Sequence, residues 1–309
     1  SSDVCSSDLM TSILRELVTN KISQNYNSHP FGTIAQSLAM DVACKTALKF
    51  NLNLEQSSVL KGLATRWFGS STDQRFELVH GCFGSGKSTL LIACLYMIRD
   101  IGVRSRRKIR VLFAAGTNVA VDRVLLGLLE LQQEEEYGPM VQFHRVGSVR
   151  RSLLSFTLSH HKQKHTQARK IAKPLLKYMA ADKEVLRELS DMKRTSNAEE
   201  RKYVDAALKH LSSNSKRDRL EKSTTVGVTC ASSASQLLEN QVFDVVILDE
   251  SSQITEPLSL VPIVKSNCHH CLLVGDPKQL PPVVQTSAAL TYTLFERLAI
   301  SHEPTRLVK

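Results

Sequence analysis

Residues 76–100 read FELVHGCFGSGKSTLLIACLYMIRD, and this stretch decides the fold. Its first five residues predict a buried strand, and residues 88–100 predict the helix that follows. The glycine-rich loop between them fits the pattern G-x-x-x-x-G-K-[ST], in which backbone N–H groups converge on phosphate oxygens. The positive end of the following helix adds to that attraction. The stretch therefore predicts a P-loop nucleotide-binding unit with ATP and Mg²⁺ as ligands.

Each residue type in the loop has a physical role. Glycines allow tight backbone turns, the Lys87 ammonium would reach the β- and γ-phosphates, and the Ser88 hydroxyl would ligate Mg²⁺. The candidate nucleotide-binding residues here are Gly81, Gly84, Gly86, Lys87, Ser88 and Thr89.

An acid pair follows a second apolar run, in ILDESSQITEP at residues 247–257. Asp249 ends the run, which is the usual place for a second Mg²⁺ contact, so it is a candidate metal ligand with Ser88. Glu250 is then the candidate general base for an attacking water. The Gln253 amide can donate and accept together, so it could bond the γ-phosphate or the water and report nucleotide state. The alternative for this stretch is an acidic helix cap.

A second glutamine stands at a comparable place in LVGDPKQLPP, residues 273–282. Gln279 is the candidate for a second γ-phosphate sensor, and Asp276 could orient the groups around it. Taken alone, Gly-Asp-Pro indicates only a turn.

Further apolar runs predict the rest of the sheet. Because strand patterns alternate with helical ones, the fold class is α/β with a mainly parallel sheet. In such sheets the ligand crevice lies at the carboxyl ends of the strands, where the polar candidates stand. The additional strands are predicted at 109–115, 141–146, 226–230, 243–249 and 270–276.

The positive charge is concentrated in one segment. The 309 residues carry a net charge of +10, and residues 150–222 hold 19 Lys and Arg against 9 Asp and Glu, so the remainder is balanced. This block indicates a polyanionic partner such as nucleic acid, with a solvated helical face as the alternative. No run of about 18 uncharged apolar residues is present, so no membrane partner is expected. Seven scattered cysteines are typical of a reducing compartment.

The organisation predicted along the chain has four parts. Residues 1–9 match the translated end of a sequencing adapter and are expected to be non-native. Residues 10–149 form the first part of the nucleotide-binding domain, 150–222 form a basic and mainly helical insertion, and 223–309 complete the domain.

The motifs taken together resemble those of superfamily-1 helicases, in the branch with the nonsense-mediated-decay and senataxin-type enzymes. GCFGSGKS, DESSQ and GDPKQLPP resemble motifs I, II and III. The stretches at 116–125 (GTNVAVDRVL) and 228–233 (VTCASS) resemble strand-contacting motifs, and 52–58 (LNLEQSS) resembles the Q motif. The resemblance implies a RecA-like P-loop NTPase domain that couples ATP hydrolysis to movement on a single strand.

Residue roles follow from this resemblance position by position. Gln56 matches the glutamine that contacts adenine. Thr117 and Asn118 match positions that contact the backbone of a single-stranded nucleic acid, and Thr229 matches a similar one. Short hydroxyl and amide side chains suit phosphate contacts without reading bases. Helix capping is the alternative for the Thr and Asn residues.

Several segments are also similar to the vertebrate DNA-repair helicases that carry a GRF-type zinc finger, namely GTIAQSLAMDVA, TNVAVDRVLLGLL, RVGSVR and KIAKPLLKY. This similarity implies a nuclear 5′-to-3′ DNA helicase and favours DNA over RNA as partner. Residues 151–169 look like an insertion relative to those helicases, in which RVGSVR and KIAKPLLKY look contiguous. The insertion could be a surface loop, an alternative exon or retained intron sequence.

Three function classes remain after these comparisons of motifs. The leading interpretation is the first motor domain of an ATP-dependent helicase or translocase. The alternatives are an RNA helicase of the same superfamily and a non-catalytic nucleic-acid-binding fragment, whereas motif III disfavours a P-loop kinase. The resemblance implies a second RecA-like domain beyond residue 309, so this chain alone is expected to bind ATP·Mg²⁺ weakly and to hydrolyse it poorly.

Overall fold

The computed structural model describes residues 31, 34–69, 76–82, 84–134, 143–146, 190–195, 201, 204, 220–284, 292–301 and 304–307. Residues 1–9, residues 151–169 and most of the basic segment lie outside this part of the chain. The predictions made for them therefore stay predictions. Within the basic segment, residues 190–195 and 220–222 are described and are helical.

Seven parallel strands form one sheet, in the order β3-β4-β2-β5-β6-β1-β7. The predicted α/β class with a parallel sheet is confirmed, while β7 at one edge was not predicted from the sequence. The strands are β1 (Phe76–Gly81), β2 (Val111–Ala115), β3 (Phe143–Arg145), β4 (Thr225–Thr229), β5 (Val245–Asp249), β6 (His270–Gly275) and β7 (Thr305–Leu307).

Helices cover both faces of the sheet. They are α1 (Gln36–Lys49), α2 (Leu54–Phe68), α3 (Lys87–Arg104), α4 (Asn118–Glu134), α5 (Glu256–Ser266) and α6 (Leu294–Ser301). Short 3₁₀ turns span Ala231–Ala234, Gln236–Leu238 and Ser251–Gln253. In the described part of the chain, no helix has the length and apolar character needed to cross a membrane.

The central strands bury side chains on both faces, which explains why they read as continuous apolar runs. Phe113 of β2 belongs to the core beneath α1 to α4, whereas its neighbours Leu112 and Ala114 belong to the opposite core with α5 and α6. Strand β2 is fully buried along its length. The sheet is therefore held rigidly from both sides, and its strand ends have fixed positions.

Strands β2 and β5 begin later than predicted, at Val111 and Val245. The residues before them meet through a side chain as well as the backbone, because the Arg110 N–H donates to Asp244 Oδ2 at 2.7 Å and the Asp244 N–H donates to Arg110 O at 2.8 Å. Burial raises the pKa of Asp244, and the hydrogen bond from the Arg110 N–H lowers it in part. The apolar pattern alone could not distinguish the residues before each strand from the strand itself.

Helix α2 is capped at its N-terminus and is joined to the first strand near its C-terminus. Asn53 and Gln56 form a capping box, in which Asn53 Oδ1 accepts from the Gln56 N–H at 2.8 Å. Near the other end, Arg66 forms an ion pair with Glu77 of β1. The helix is thereby held beside the loop that follows β1.

Candidate nucleotide-binding site

The candidate residues meet at one edge of the sheet because its strands are parallel. Strand β6 lies between β1 and β5, and the three end at Gly81, Asp249 and Gly275. Their carboxyl ends open on the same crevice, which is where ligands bind in sheets of this type.

The phosphate loop has the backbone geometry that its glycines permit. Gly84 and Gly86 have φ values of 79° and 77°, which other residues adopt only at a cost of about 1–2 kcal/mol. The Lys87 ammonium donates to Gly81 O at 2.6 Å and to Cys82 O at 3.0 Å. A Cβ on Gly81 would lie 2.8 Å from Lys87 Cγ, so the loop closes tightly around the lysine stem.

Gln56 joins helix α2 to this loop. Its Nε2 donates to Ser85 O at 2.9 Å, while its Oε1 accepts from the Asn53 N–H at 3.2 Å. The side chain is 8% exposed, and a Cβ on Gly86 would approach its Nε2 to 2.4 Å. Gln56 therefore lies beside the phosphate loop, and its contact with adenine stays a prediction.

Asp249 is a buried carboxylate with a raised pKa. Burial is the main cause and the charge of Glu250 adds to it, which raises the pKa to about 6. The Glu250 N–H, which donates to Asp249 Oδ1 at 2.9 Å, and the charge of Lys87 act in the opposite direction. The charge of Lys87 thus acts on Asp249 from a nearby strand end, and their joint binding of a magnesium-bound triphosphate stays a prediction.

This arrangement fits a divalent cation. A cation would compensate the costly burial of the Asp249 charge, and such ions dominate the local electrostatics where they bind. Ser88 lies half-buried in the first turn of α3, where its hydroxyl is a suitable second ligand, and Thr89 beside it is exposed. Among the described residues there is no cluster of three or more His, Cys, Asp and Glu that could hold a metal. Mg²⁺ needs no such cluster, because it retains waters and takes phosphate oxygens.

Glu250 has an unusual backbone. Its φ of 54° and ψ of 32° place a residue with a Cβ in the left-handed region, at the start of the 3₁₀ turn Ser251–Gln253. Strain of this kind costs of the order of 1–3 kcal/mol and occurs often at functional sites. The strand ends at Asp249 and the turn begins at Glu250, so the two adjacent acidic residues have different backbone conformations.

The two predicted sensor glutamines belong to one hydrogen-bonded chain. Gln253 Nε2 donates to Gln279 Oε1 at 3.2 Å, and Gln279 Nε2 donates to Asp276 Oδ2 at 2.8 Å. The other carboxylate oxygen of Asp276 lies 3.2 Å from His80 Nε2. Burial acts to raise the pKa of Asp276, but the hydrogen bonds from Gln279, the Lys278 N–H and His80 outweigh it and lower the pKa.

His80, which belongs to the same series of hydrogen bonds, was not predicted from the sequence. It is the last residue of β1 before the phosphate loop begins, and its side chain is 17% exposed. A carboxylate can only accept, so His80 Nε2 carries the hydrogen in this contact. Its position at a strand end, directly before the glycine-rich loop, is the signal that could have identified it.

The candidate strand-contacting residues lie at the ends of neighbouring strands. Thr117 is exposed after β2, and its Oγ1 accepts from the Ala120 N–H at 3.3 Å. Asn118 is the first residue of α4, and its Oδ1 accepts from the guanidinium of Arg145. Both residues also take part in local structure, and their contact with nucleic acid stays a prediction.

Thr229 ends β4, in register with the last residue of β2. Its hydroxyl donates to Ser232 Oγ at 2.8 Å and accepts from the Ser232 N–H at 3.2 Å. The residue is 8% exposed. Its side chain therefore binds Ser232 in the following 3₁₀ turn, and a role in contacting a nucleic-acid strand stays a prediction.

Residues 52–287 match the sequence profile of the AAA domain family. The chain is also 38% identical over 285 residues to the 5′-3′ DNA helicase ZGRF1 of Mus musculus, covering 83% of the chain and 14% of that protein. Identity is 26% over 305 residues with the ATP-dependent helicase NAM7 of Saccharomyces cerevisiae, covering 97% of the chain and 28% of that protein. Identity is 28% over 267 residues with the ATP-dependent helicase upf1 of Schizosaccharomyces pombe, covering 83% of the chain and 25% of that protein.

The chain thus spans 28% or less of the length of these three relatives. The matched region contains the phosphate loop, the acid pair and the Gln279 turn, so the similarity coincides with the assembled site. Membership of this family implies that a nucleotide is used there. The chain belongs to the AAA domain family and is a member of the Upf-like branch of the superfamily-1 helicases.

Proposed function

We propose that the chain is the ATP-hydrolysing first motor domain of a nucleic-acid helicase or translocase. The observation that carries the proposal is the position of the phosphate loop and the buried Asp249 at the ends of β1 and β5, the strands on either side of β6, where the charge of Lys87 favours the ionised Asp249 carboxylate. A cation on a phosphate loop opposite a buried carboxylate is the arrangement that binds a metal-associated triphosphate.

Each residue has a distinct part in this reaction. Lys87 leaves the carbonyl oxygens of Gly81 and Cys82 for the β- and γ-phosphates, and the loop amides and the α3 N-terminus hold the same oxygens. Glu250 accepts a proton from the attacking water. Gln253 orients that water or the γ-phosphate, supported by Gln279.

Asp249 and Ser88 are the residues that would hold Mg²⁺. The ion supplies charge neutralisation of the phosphate oxygens when it is bound. The raised pKa of Asp249, caused first by burial, is the property of this chain that supports a cation beside it.

The partner we propose is single-stranded DNA, contacted through Thr117, Asn118 and Thr229. The similarity to a protein named as a 5′-3′ DNA helicase supports DNA as the partner and 5′-to-3′ as the direction of movement. It also supports a nuclear location and a role in DNA repair. An RNA helicase is the second candidate, since the chain is also similar to upf1. The basic segment 150–222 supports a polyanion of either kind.

The test is ATP hydrolysis by the complete protein with single-stranded DNA or single-stranded RNA as stimulant. Lys87→Ala and Glu250→Gln are each expected to lower kcat by about 10²–10⁴-fold, while single-strand affinity is largely retained. Lys45→Ala is a matched control, because the Lys45 side chain is 58% exposed and pairs with Asp41 on the surface of α1. Full activity of either site variant would contradict the assigned roles, and stimulation by RNA alone would favour the second candidate.

A further inference from the structure

A buried ion pair joins β3 to α4 away from the nucleotide site. Arg145 Nε donates to Asp122 Oδ1 at 2.9 Å, and the two side chains are 3% and 6% exposed. Removing two charges from water costs several kcal/mol per ion, and apolar residues of similar volume often stabilise a fold equally well. A contribution to the stability of the fold is therefore a weak explanation for the presence of this buried ion pair.

Within the described part of the chain, three directed contacts orient the guanidinium of Arg145. Besides its bond to Asp122, Nη1 donates to Val146 O and Nη2 donates to Asn118 Oδ1. Because the group is planar with donors in a fixed fork, these acceptors hold it in one orientation. Arg145 is thus a rigid support for the first side chain of α4.

The support determines which way the Asn118 amide faces. A guanidinium has only donors, so the atom of Asn118 next to it must be the acceptor Oδ1. The opposite orientation would set two donor groups against each other. The Nδ2 donors therefore lie on the other branch of the amide, and they have no hydrogen-bond partner within the described part of the chain. Phosphate oxygens accept hydrogen bonds, so Nδ2 is the atom that a nucleic-acid backbone would bind.

We infer that Arg145 is a positioning residue for nucleic-acid binding, anchored by Asp122, which holds Asn118 with its Nδ2 donors available to a backbone phosphate. The inference rests on the proposed function, since it needs Asn118 to contact a single strand. Arg145 itself is 2% exposed and makes no contact with the strand. It acts through the amide alone.

The first experiment measures the affinity of the complete protein for a fluorescent single-stranded oligonucleotide. Asn118→Ala and the paired replacement of Asp122 by Leu with Arg145 by Met are each expected to weaken binding roughly tenfold, as for one hydrogen bond to a charged group. The paired replacement removes both charges and preserves volume, so the core can remain packed. Combining all three changes is expected to give no further loss, because the pair acts only through Asn118. Far-UV circular dichroism and a cooperative thermal transition close to that of the wild type report an intact fold in every variant.

The dependence of affinity on salt distinguishes a positioning residue from a direct contact. A cation that binds a phosphate contributes about 0.7 to the slope of log affinity against log salt on a single strand. The neutral Asn118 amide contributes nothing to it, so Asn118→Ala and the paired replacement are expected to leave the slope unchanged. A smaller slope in the paired replacement would make Arg145 a direct contact and overturn the inference.

Asn118→Asp tests the amide orientation without disturbing the buried pair. Both carboxylate oxygens can accept from Arg145, so the fold is retained, but the Nδ2 donors are lost and a negative charge is placed near the phosphate. Binding is expected to weaken more than in Asn118→Ala. Equal or tighter binding, or additive losses in the combined variant, would overturn the inference while the helicase proposal stands. Absence of any single-strand binding by the unaltered protein would instead refute the proposed function.

Discussion

At the scale of single residues, Asp249 shows a conflict between stability and function. Its carboxylate is 6% exposed, and burial, followed by the charge of Glu250, raises its pKa from 3.8 to about 6. A group that is harder to ionise in the folded chain than in the unfolded chain destabilises the fold when it is charged. The same group is suited to binding a cation, so the conflict indicates a ligand site.

Replacing Asp249 by Asn is therefore expected to stabilise the metal-free protein at neutral pH. The unfolded chain releases the proton near pH 3.8 and the folded chain near pH 6, so the wild type loses up to about 3 kcal/mol of stability as the pH rises between them. The variant has no such loss. Urea unfolding in the presence of EDTA, at pH 4.5 and 7.5, checks this difference.

The advantage of the variant should be small at pH 4.5 and full at pH 7.5. Asp41→Asn, at an exposed position on α1, is the control for removal of a surface charge. An equal effect of Asp249→Asn at both pH values would contradict the buried-carboxylate interpretation.

At the scale of elements, the junction between the phosphate loop and α3 depends on a glycine. Gly86 caps the helix with φ 77°, and any Cβ there would lie 2.4 Å from Gln56 Nε2. Gly86→Ala combines left-handed backbone strain of about 1–2 kcal/mol with the displacement of Gln56 from Ser85 O. We expect a lower unfolding temperature together with weaker nucleotide binding.

Calorimetric titration with Mg·ADP and a thermal scan measure the two effects. Gln56→Ala is the matched comparison, because it removes the same bond to Ser85 without straining the backbone. It should weaken nucleotide binding with a smaller loss of stability, about 1 kcal/mol from the capping box. If Gly86→Ala binds nucleotide normally, the loop geometry is not what holds the phosphates.

A second prediction at this scale concerns the contact between β1 and the turn after β6. His80 donates to Asp276, which fixes the Gln279 amide so that its Oε1 faces Gln253. His80→Phe should lower kcat about tenfold, as expected for a lost bond to a charged group, without weakening nucleotide binding. His80→Gln keeps a donor in nearly the same place and should restore most of the rate.

Steady-state hydrolysis by the complete protein measures this effect, and the double variant with Gln279→Ala identifies its route. If His80 acts through Gln279, His80→Phe has no further effect once Gln279 is removed. Equal rates in the Phe and Gln variants would show that the imidazole only fills space.

At the scale of the whole molecule, ligand binding should stabilise the domain as a unit. The phosphate loop, the acid pair and the Gln279 turn follow three different strands of one sheet, so a bound nucleotide connects all three. A ligand that binds only the folded state at 100 times its Kd adds about 2.7 kcal/mol of stability. We expect Mg·ADP to raise the unfolding temperature, ADP with EDTA to raise it less, and neither to affect Lys87→Ala.

Thermal unfolding of the complete protein and of Lys87→Ala measures this linkage, with Lys45→Ala as the control that should respond like wild type. A shift of equal size in Lys87→Ala would place the nucleotide elsewhere on the protein.

The sequence by itself determined the features that depend on neighbours along the chain. The glycines and lysine of the phosphate loop, the apolar strands that end in Asp249 and Gly275, and the capping box at α2 are all local patterns. Backbone sterics and burial on two faces dictate them wherever the strands finally lie. This is why the parallel α/β fold could be predicted, and why Lys87 and Asp249 could be named as candidates at strand ends.

Only the tertiary structure decided which distant residues became partners. His80 and Asp276 are 196 positions apart, Gln56 and Ser85 are 29 apart, and Arg145 and Asp122 are 23 apart on different elements. These contacts arise from the order of the strands in the sheet and from the helices packed on it, which no local pattern specifies. The sequence therefore predicted candidate groups for the chemistry, whereas the residues that orient these groups emerged from the three-dimensional packing of the sheet.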